Sequence, residues 1–313
     1  MKPFAFVFPG QGSQSVGMLD AWSDHPAVAA TLAEASAAAG LDVGQLIHEG
    51  PAETLALTVN TQLVMLVAGV ANYRAWIHEG GPVPAVVAGH SLGEYSALVA
   101  AGAMSLADAV PLVRFRAQAM QDAVPVGTGA MMAILGLDGA DVAKACEQAA
   151  RDSGEIVSAA NYNDPKQTVI AGSTAGVAMA VTLLKAIGAK RAMPLAVSAP
   201  FHCALMKPAA DRLKERLAAT PIVAPAIPVL NNIDVATEDE PDRIRDALYR
   251  QAYGPVRWVE LVEAMHARGM RHIHECGPGR VLAKMIKRIE HAEAESLTVL
   301  DPATLAEVKG MLA

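Results

Sequence analysis

The stretch from Ala85 to Ala101 is the part of this chain that most constrains its fold. The apolar run 85–88 predicts a short buried strand, and residues 92–101 predict a helix. Between them lies Gly89-His90-Ser91-Leu92-Gly93, a G-x-S-x-G turn whose glycines allow the close backbone approach that such a turn requires. This context predicts a nucleophile elbow with Ser91 as the nucleophile. The alternative is a strand-to-helix turn in which Ser91 is only a helix cap.

The order of the predicted elements indicates an α/β protein. Strands at 4–8, 86–89 and 272–275, separated by helical stretches, favour a parallel sheet with helices on its faces. The rhythm changes between residues 128 and 197, where the pattern is β-α-β-β-α-β, typical of a split ferredoxin-like unit. We therefore expect a large α/β-hydrolase-like domain with a parallel sheet, formed by 1–127 and 198–313, and an inserted ferredoxin-like small domain at 128–197.

Composition narrows the class of protein. The chain has 313 residues, 52% hydrophobic and 18% charged, which is enough for a substantial core. Its net charge of -7 argues against a nucleic-acid partner. Its 3 cysteines are too scattered for a disulfide framework or a zinc site, so we expect no metal. The apolar runs are too short to span a bilayer and the first residues lack signal-peptide features, so we expect a cytoplasmic protein without a membrane partner.

A glycine-rich turn follows the first predicted strand. In Pro9-Gly10-Gln11-Gly12-Ser13-Gln14 the spacing is close to a dinucleotide-binding motif, but residues 26–40 predict a helix where that motif requires a second strand. A nucleotide site is therefore disfavoured. The turn instead presents backbone donors and Gln11 towards the elbow, or it is a simple connection.

A serine nucleophile needs a base, and His202 is the best placed of the 9 histidines. It lies in Ser198-Ala199-Pro200-Phe201-His202-Cys203, a proline-containing loop just beyond the last strand predicted for the small domain. His90 is too close to Ser91 in sequence to face its hydroxyl easily. His272 and His274 alternate within a strand and are expected to be structural.

Arg116 is a charged residue on an apolar helix face. Spacings of three and four place it in one stripe with apolar residues before and after it, whereas Arg114 faces outward. A buried guanidinium must be paired, either with a carboxylate of the protein or with one of a ligand, and the sequence leaves both open. Pro111 is expected to kink this helix or to shift its start.

Several motifs together resemble those of the malonyl-CoA:acyl carrier protein transacylases, a family related to the acyltransferase domains of fatty-acid and polyketide synthases. The resemblance extends from the first strand to about residue 290, and its motifs occur in the family's order and spacing: Gly10-Gln11-Gly12-Ser13-Gln14, Gly89-His90-Ser91-Leu92-Gly93-Glu94, Arg116, Phe201-His202 and Gly277-Pro278-Gly279. It implies a large α/β domain with a ferredoxin-like insert, in agreement with the predicted elements.

The resemblance also implies a role for each residue of the site. Ser91 would carry the malonyl group as an ester, and His202 would be the base, oriented by the backbone carbonyl of Gln251. The backbone N–H groups of Gln11 and Leu92 would form the oxyanion hole. Arg116 would bind the free carboxylate of the malonyl group. The remaining residues expected to line the pocket are Gln62, Asn163 and Phe201, the last of which would crowd a 2-methyl branch and so favour malonyl over methylmalonyl.

The implied substrates are malonyl-CoA and the phosphopantetheine arm of acyl carrier protein, with no bound cofactor, and we expect a monomer. Because acyl carrier proteins are acidic, docking needs a basic patch. The candidates are Lys190-Arg191 and the cluster Arg280, Lys284, Lys287 and Arg288. The absence of fused synthase domains favours fatty-acid synthesis over a dedicated polyketide pathway.

Two other functions compete with this one. A serine hydrolase of the α/β-hydrolase class would carry an HGGG-type oxyanion loop, and the chain contains no HGG. A non-catalytic acyl-CoA-binding module would not need Ser91, His202 and Arg116 together.

Overall fold

The structure, a computed structural model, describes residues 2–125, 127–289 and 295–313. In chain order its strands are β1 (Phe4–Phe8), β2 (Val86–Gly89), β3 (Gly129–Leu135), β4 (Val157–Asp164), β5 (Gln167–Ser173), β6 (Arg191–Pro194), β7 (Val229–Leu230), β8 (His272–Cys276) and β9 (Thr298–Val299). The helices are α1 (Pro26–Ala39), α2 (Val43–Glu49), α3 (Ala52–Ala56), α4 (Thr58–His78), α5 (Gly93–Ala100), α6 (Leu106–Asp122), α7 (Gly139–Ser153), α8 (Thr174–Ala186), α9 (Lys207–Ala219), α10 (Pro241–Gln251), α11 (Trp258–Ala267), α12 (Val281–Ile286) and α13 (Pro302–Leu312).

One sheet is parallel and has the strand order β7-β2-β1-β8-β9. Every residue of β1 is buried, as expected of a strand covered on both faces. Its phenylalanines pack on one face with Trp76 of α4, whereas Ala5 and Val7 pack on the other with Trp258 of α11. The strict alternation of β1 therefore divides the apolar residues into two cores, one on each side of the sheet.

The second sheet is antiparallel and has the order β4-β5-β3-β6. Helices α7 and α8 cover it, and their apolar faces share a core with Ile134 of β3 and Ile170 of β5. The chain order β3-α7-β4-β5-α8-β6 is the one predicted for residues 128–197. Backbone hydrogen bonds join β4 to the segment before α11, since the N–H of Tyr162 donates to the carbonyl of Val256 at 2.9 Å.

Several boundaries differ from the sequence-based expectation. Strand β6 ends at Pro194 rather than at residue 197, and the chain continues towards His202 without strand pairing. Helix α6 begins at Leu106 and continues past Pro111, so of the two effects expected of the proline, a kink or a shifted start, the shifted start is not found. Ser105 fixes that start, because its hydroxyl accepts a hydrogen bond from the N–H of Asp108. Strands β7 and β9, of two residues each, are too short for periodicity to predict.

The parallel sheet positions the candidate site at the carboxyl ends of β1 and β2. Phe8 pairs with Gly89, so the segments that follow β1 and β2 leave the sheet side by side, at Pro9 and at His90. Crevices at the carboxyl ends of parallel strands are where α/β proteins commonly bind ligands. Among the described residues, no helix combines the length and the apolar composition needed to cross a membrane.

Candidate active site

The turn between β2 and α5 holds Ser91 in a left-handed backbone conformation, with φ of 53°. The glycines on either side have no room for a side chain: a Cβ on Gly89 would lie 1.8 Å from the carbonyl carbon of Gly93, and one on Gly93 would lie 1.9 Å from the carbonyl oxygen of Phe8. These close approaches are the reason for the G-x-S-x-G spacing. The predicted strand, sharp turn and helix are confirmed, and Ser91 lies at the start of α5.

His202 forms a hydrogen bond with this serine, with 2.7 Å between Nε2 and the Ser91 Oγ. Its Nδ1 lies 3.0 Å from the backbone oxygen of Gln251 and 3.1 Å from that of Gly254. Carbonyl oxygens only accept hydrogen bonds, so Nδ1 carries the hydrogen and Nε2 is free to accept one from the serine. Burial, and after it the positive charge of Arg116, lowers the pKa of His202 to about 3. The imidazole is therefore neutral at pH 7, the state that a general base requires.

Arg116 is 2% exposed and its guanidinium lies beside the serine. Nη1 donates to Gln62 Oε1 at 2.6 Å, and Nη2 donates to Gln251 Oε1 at 3.1 Å and to Ser91 Oγ at 3.2 Å. All three acceptors are neutral, and within the described ranges Arg116 forms no ion pair with an Asp or Glu. Of the two partners that the sequence left open, the protein carboxylate is thus not found. A buried cation with only neutral partners is suited to bind an anionic ligand.

The serine opens into a cavity of about 130 Å³. Its polar wall includes Gln11, Gln62 and Arg116, and its apolar wall consists of Leu92, Met120, Met131, Leu195, Val197 and Phe201. The backbone N–H groups of Gln11 and Leu92 donate no hydrogen bond within the described part of the chain. Two free donors beside a nucleophile can stabilise an oxyanion.

The structure places Asn163, predicted to line the pocket, outside the residues that line this cavity. The cavity is lined by Asn161, and Asn163 lies behind it, where its Oδ1 is 2.9 Å from His90 Nε2. Register irregularities in β4, between 159 and 161 and between 162 and 164, prevent simple alternation from assigning these side chains. The ring of His90 also contacts that of Trp258, with centroids 5.5 Å apart.

Sequence reasoning assigned no role to two buried polar residues next to Ser91. Asn232 Oδ1 accepts a hydrogen bond from the Ser91 N–H at 2.7 Å. Glu94 is 2% exposed, and burial raises its pKa to about 7. The carboxylate of Glu94 was a visible signal, because it lies among mostly uncharged residues of the predicted helix 92–101. Asn232 is distant from Ser91 in sequence and carries no comparable signal. The side chain of Gln251, predicted only for its backbone carbonyl, also contacts Arg116 and Ser91.

The candidate metal-binding side chains of this protein lie away from Ser91. The described residues contain one cluster of side chains that could ligate a metal ion, formed by His25, His78 and Glu79 at the ends of α1 and α4, and none of the three lines the cavity at Ser91.

The chain matches the acyl transferase domain family over residues 5–305. It is 57% identical over 290 residues to the malonyl CoA-acyl carrier protein transacylase of Escherichia coli (strain K12), covering 92% of this chain and 93% of that protein. The crystal structure of an acyl-carrier-protein S-malonyltransferase from Burkholderia pseudomallei 1710b superposes with a TM-score of 0.96 at 58% identity, covering 99% of this chain and 100% of that one. A solved complex, PlMCAT:AntF (holo), contains a type II PKS acyl-carrier protein with its malonyl-transacylase; it superposes with a TM-score of 0.95 at 48% identity, covering 99% of this chain and 100% of that one.

Proposed function

Since this chain belongs to the acyl transferase domain family, we propose that it transfers the malonyl group of malonyl-CoA to the phosphopantetheine thiol of an acyl carrier protein, through a malonyl ester on Ser91. It is an acyltransferase, and its similarity to the Escherichia coli enzyme extends over most of the chain. The product supplies chain elongation in fatty-acid synthesis or in polyketide synthesis.

The observation that carries this proposal is the buried, unpaired charge of Arg116 beside Ser91. Malonyl-CoA has a free carboxylate at the far end of its acyl group, and a guanidinium binds a carboxylate through two parallel hydrogen bonds. A hydrolase acting on neutral esters would gain nothing from this cation. We therefore infer that the cavity selects an acyl group that carries its own negative charge.

In the first half-reaction, Ser91 Oγ attacks the thioester carbonyl carbon while His202 Nε2 accepts the hydroxyl proton. The N–H groups of Gln11 and Leu92 stabilise the negative charge on the carbonyl oxygen. The C–S bond then breaks, and the imidazolium returns its proton to the leaving sulfur of CoA. The serine ester and free CoA thiol account for all atoms, and no electrons are gained or lost.

The second half-reaction reverses these roles. The phosphopantetheine thiol gives its proton to His202 and attacks the serine ester, and the Ser91 oxygen recovers the proton when the C–O bond breaks. CoA and the carrier arm present chemically similar thiols, so one histidine can serve both steps. The exchange consumes no redox equivalent.

Intact-mass spectrometry after brief incubation with malonyl-CoA tests the covalent step, with Ser91→Ala as the control. We expect a malonyl adduct on the wild-type protein alone, and transfer of that adduct to holo acyl carrier protein added afterwards. Malonate and free CoA without an adduct would identify a hydrolase. No adduct with intact malonyl-CoA would refute the proposal, as would full biological function of Ser91→Ala.

For carrier-protein docking we favour the basic cluster near α12 over Lys190-Arg191. The loop before α12 packs on the glycine turn after β1, since a Cβ on Gly279 would lie 3.2 Å from the Ser13 Cβ. Lys284 and Lys287 are exposed there, whereas Arg288 is paired with Asp164 at 2.7 Å. Arg191 begins β6, and the segment that follows this strand reaches the cavity wall first at Leu195.

Charge reversal tests the docking proposal. Lys284→Glu combined with Lys287→Glu should raise the KM for holo acyl carrier protein about tenfold and leave the rate of Ser91 acylation unchanged. The matched control is Lys190→Glu combined with Arg191→Glu. An unchanged KM for the carrier protein in the α12 variant would contradict the assignment.

We also infer that residues 128–197 form a ferredoxin-like small domain inserted into an α/β-hydrolase-like domain made of 1–127 and 198–313. The chain order β3-α7-β4-β5-α8-β6 and the strand order β4-β5-β3-β6 support this division. We propose that the protein is cytoplasmic and monomeric. Size-exclusion chromatography with light scattering would test the monomeric state.

A further inference from the structure

The carboxamide of Asn232 bonds to two backbone groups of the nucleophile turn. Asn232 is 0% exposed; its Oδ1 accepts from the Ser91 N–H at 2.7 Å, and its Nδ2 donates to the Gly89 carbonyl at 2.6 Å. These two backbone groups enclose the turn that places the serine hydroxyl. Asn232 does not line the cavity and lies beyond β7, distant from the elbow in sequence.

Ser91 depends on such support. Its φ of 53° is unfavourable for a residue with a side chain, by about 1–2 kcal/mol, and it persists only where the surroundings enforce it. Without Asn232 the Ser91 N–H would lose its acceptor in a partly buried position. The turn could then relax, and the Oγ would leave its place 2.7 Å from His202 Nε2.

Glu94 connects this carboxamide to the rest of the site. Its Oε2 accepts from the backbone N–H of Asn232 at 2.9 Å and from Gln251 Nε2 at 3.0 Å. Gln251 in turn donates to the Ser91 carbonyl, accepts from Arg116 through Oε1, and accepts from His202 through its backbone oxygen. The buried carboxylate of Glu94 therefore orients both Asn232, which supports Ser91, and Gln251, which contacts His202 and Arg116.

We propose that Asn232 and Glu94 are positioning residues for acyl transfer. Asn232 holds the backbone of Ser91 in the elbow conformation. Glu94 fixes Asn232 and Gln251 relative to each other, so that Ser91 Oγ is aligned with His202 and Arg116. This inference rests on the proposed role of Ser91 as the nucleophile.

The rate of malonyl-Ser91 formation in a rapid-quench experiment tests the role of Asn232. Asn232→Ala should acylate about 100-fold more slowly than wild type, the size of effect expected from a displacement of about 1 Å. The matched control is Asn231→Ala: this neighbour is also buried, but its Oδ1 accepts from the Asp234 N–H, away from the serine. We expect the control to acylate at the wild-type rate.

Binding separates positioning from substrate contact. In a Ser91→Ala background, calorimetry should give the same affinity for malonyl-CoA, within about threefold, with or without Asn232→Ala. A loss of affinity as large as the loss of rate would overturn the proposal, and so would an acylation rate like that of wild type. If wild type itself forms no ester, the proposed function fails instead.

Two conservative variants keep the test decisive if Asn232→Ala does not fold. In Asn232→Asp a protonated carboxyl group can donate to the Gly89 carbonyl, so its rate relative to wild type should rise as the pH falls from about 8 to about 5.5. Glu94 accepts from the backbone N–H of residue 232, so in this variant the two carboxyl groups would titrate as a coupled pair that gains a proton as the pH falls. Glu94→Gln keeps an accepting oxygen and should retain most of the activity that Glu94→Ala loses. A flat ratio, or equal losses in the two Glu94 variants, would contradict the proposal.

Discussion

Removing the guanidinium of Arg116 should convert a malonyl-selective site into an unselective one. In Arg116→Ala the cavity keeps Ser91 and His202 but loses its only cation within the described lining. A malonyl group would then place its carboxylate in a buried site without a partner. An acetyl group, which has no carboxylate, would lose nothing.

The magnitude follows from the hydrogen bonds at stake. A bidentate guanidinium–carboxylate pair makes two charge-assisted hydrogen bonds, each worth about 1.5–3 kcal/mol, so the loss is about 3–6 kcal/mol. At about 1.4 kcal/mol per decade this corresponds to about 100-fold to 10,000-fold in kcat/KM for malonyl-CoA. The carboxylate does not change during the reaction, so most of the loss should be in KM.

The assay compares transfer from malonyl-CoA and from acetyl-CoA by wild type, Arg116→Ala and the control Arg114→Ala. Arg114 lies on the same helix but is exposed and donates to the backbone oxygen of Ala39. The positive charge of Arg116 lowers the pKa of His202. The acid limb of the pH–rate profile for acetyl transfer should therefore move to higher pH in Arg116→Ala.

Equal losses with the two acyl groups would refute this reasoning, because Arg116 would then act on the serine or on the fold rather than on the malonyl carboxylate. A loss of the same size in Arg114→Ala would refute it as well.

Three further changes have outcomes fixed by the structure. Burial raises the pKa of Glu275 from 4.5 to about 7, so as the pH rises between these values the unfolded chain loses this proton first and the free energy of unfolding falls. In urea titrations, the free energy of unfolding of Glu275→Gln relative to that of wild type should therefore increase by about 3 kcal/mol between pH 4.5 and pH 8. Gly89→Ala, whose Cβ would overlap Gly93, should destabilise by about 3 kcal/mol or more, whereas Gly310→Ala, which meets nothing within 4 Å inside α13, should stabilise slightly. Phe201→Ser should raise the ratio of methylmalonyl to malonyl transfer about tenfold, and an unchanged ratio would place the 2-methyl branch against another wall.

Features determined by neighbouring residues could be predicted from the sequence. The elbow at Ser91 is predictable because its strand, turn and helix are contiguous. Arg116 is predictable because a charge within an apolar helical stripe is visible in the spacing alone. His202 was a weaker prediction, since its loop position does not show which hydroxyl it faces.

Features determined by tertiary contacts could not. Asn232 bonds to Ser91 at a sequence separation of 141 residues, and Gln251 does so at a separation of 160. No periodicity identifies a carboxamide that supports another residue's backbone. Asn161 and Asn163 could not be distinguished for a different reason, because irregular pairing in β4 changes which side chains face the cavity.

The charges of the site explain why these contacts matter together. The hydrogen-bond acceptors of Arg116 are neutral, and the buried Glu94 acts on its charge only from beyond Gln251. The charge of Arg116 adds to burial in lowering the pKa of His202. A bound malonyl carboxylate offsets that charge, so the imidazole becomes a stronger base when the correct acyl group is present. An acyl group without a carboxylate would bind more weakly and would also face a weaker base. In the proposed mechanism, selectivity and base strength would therefore depend on the same guanidinium. Gln62 and Gln251 hold that guanidinium through neutral oxygens, so its charge stays available to the substrate.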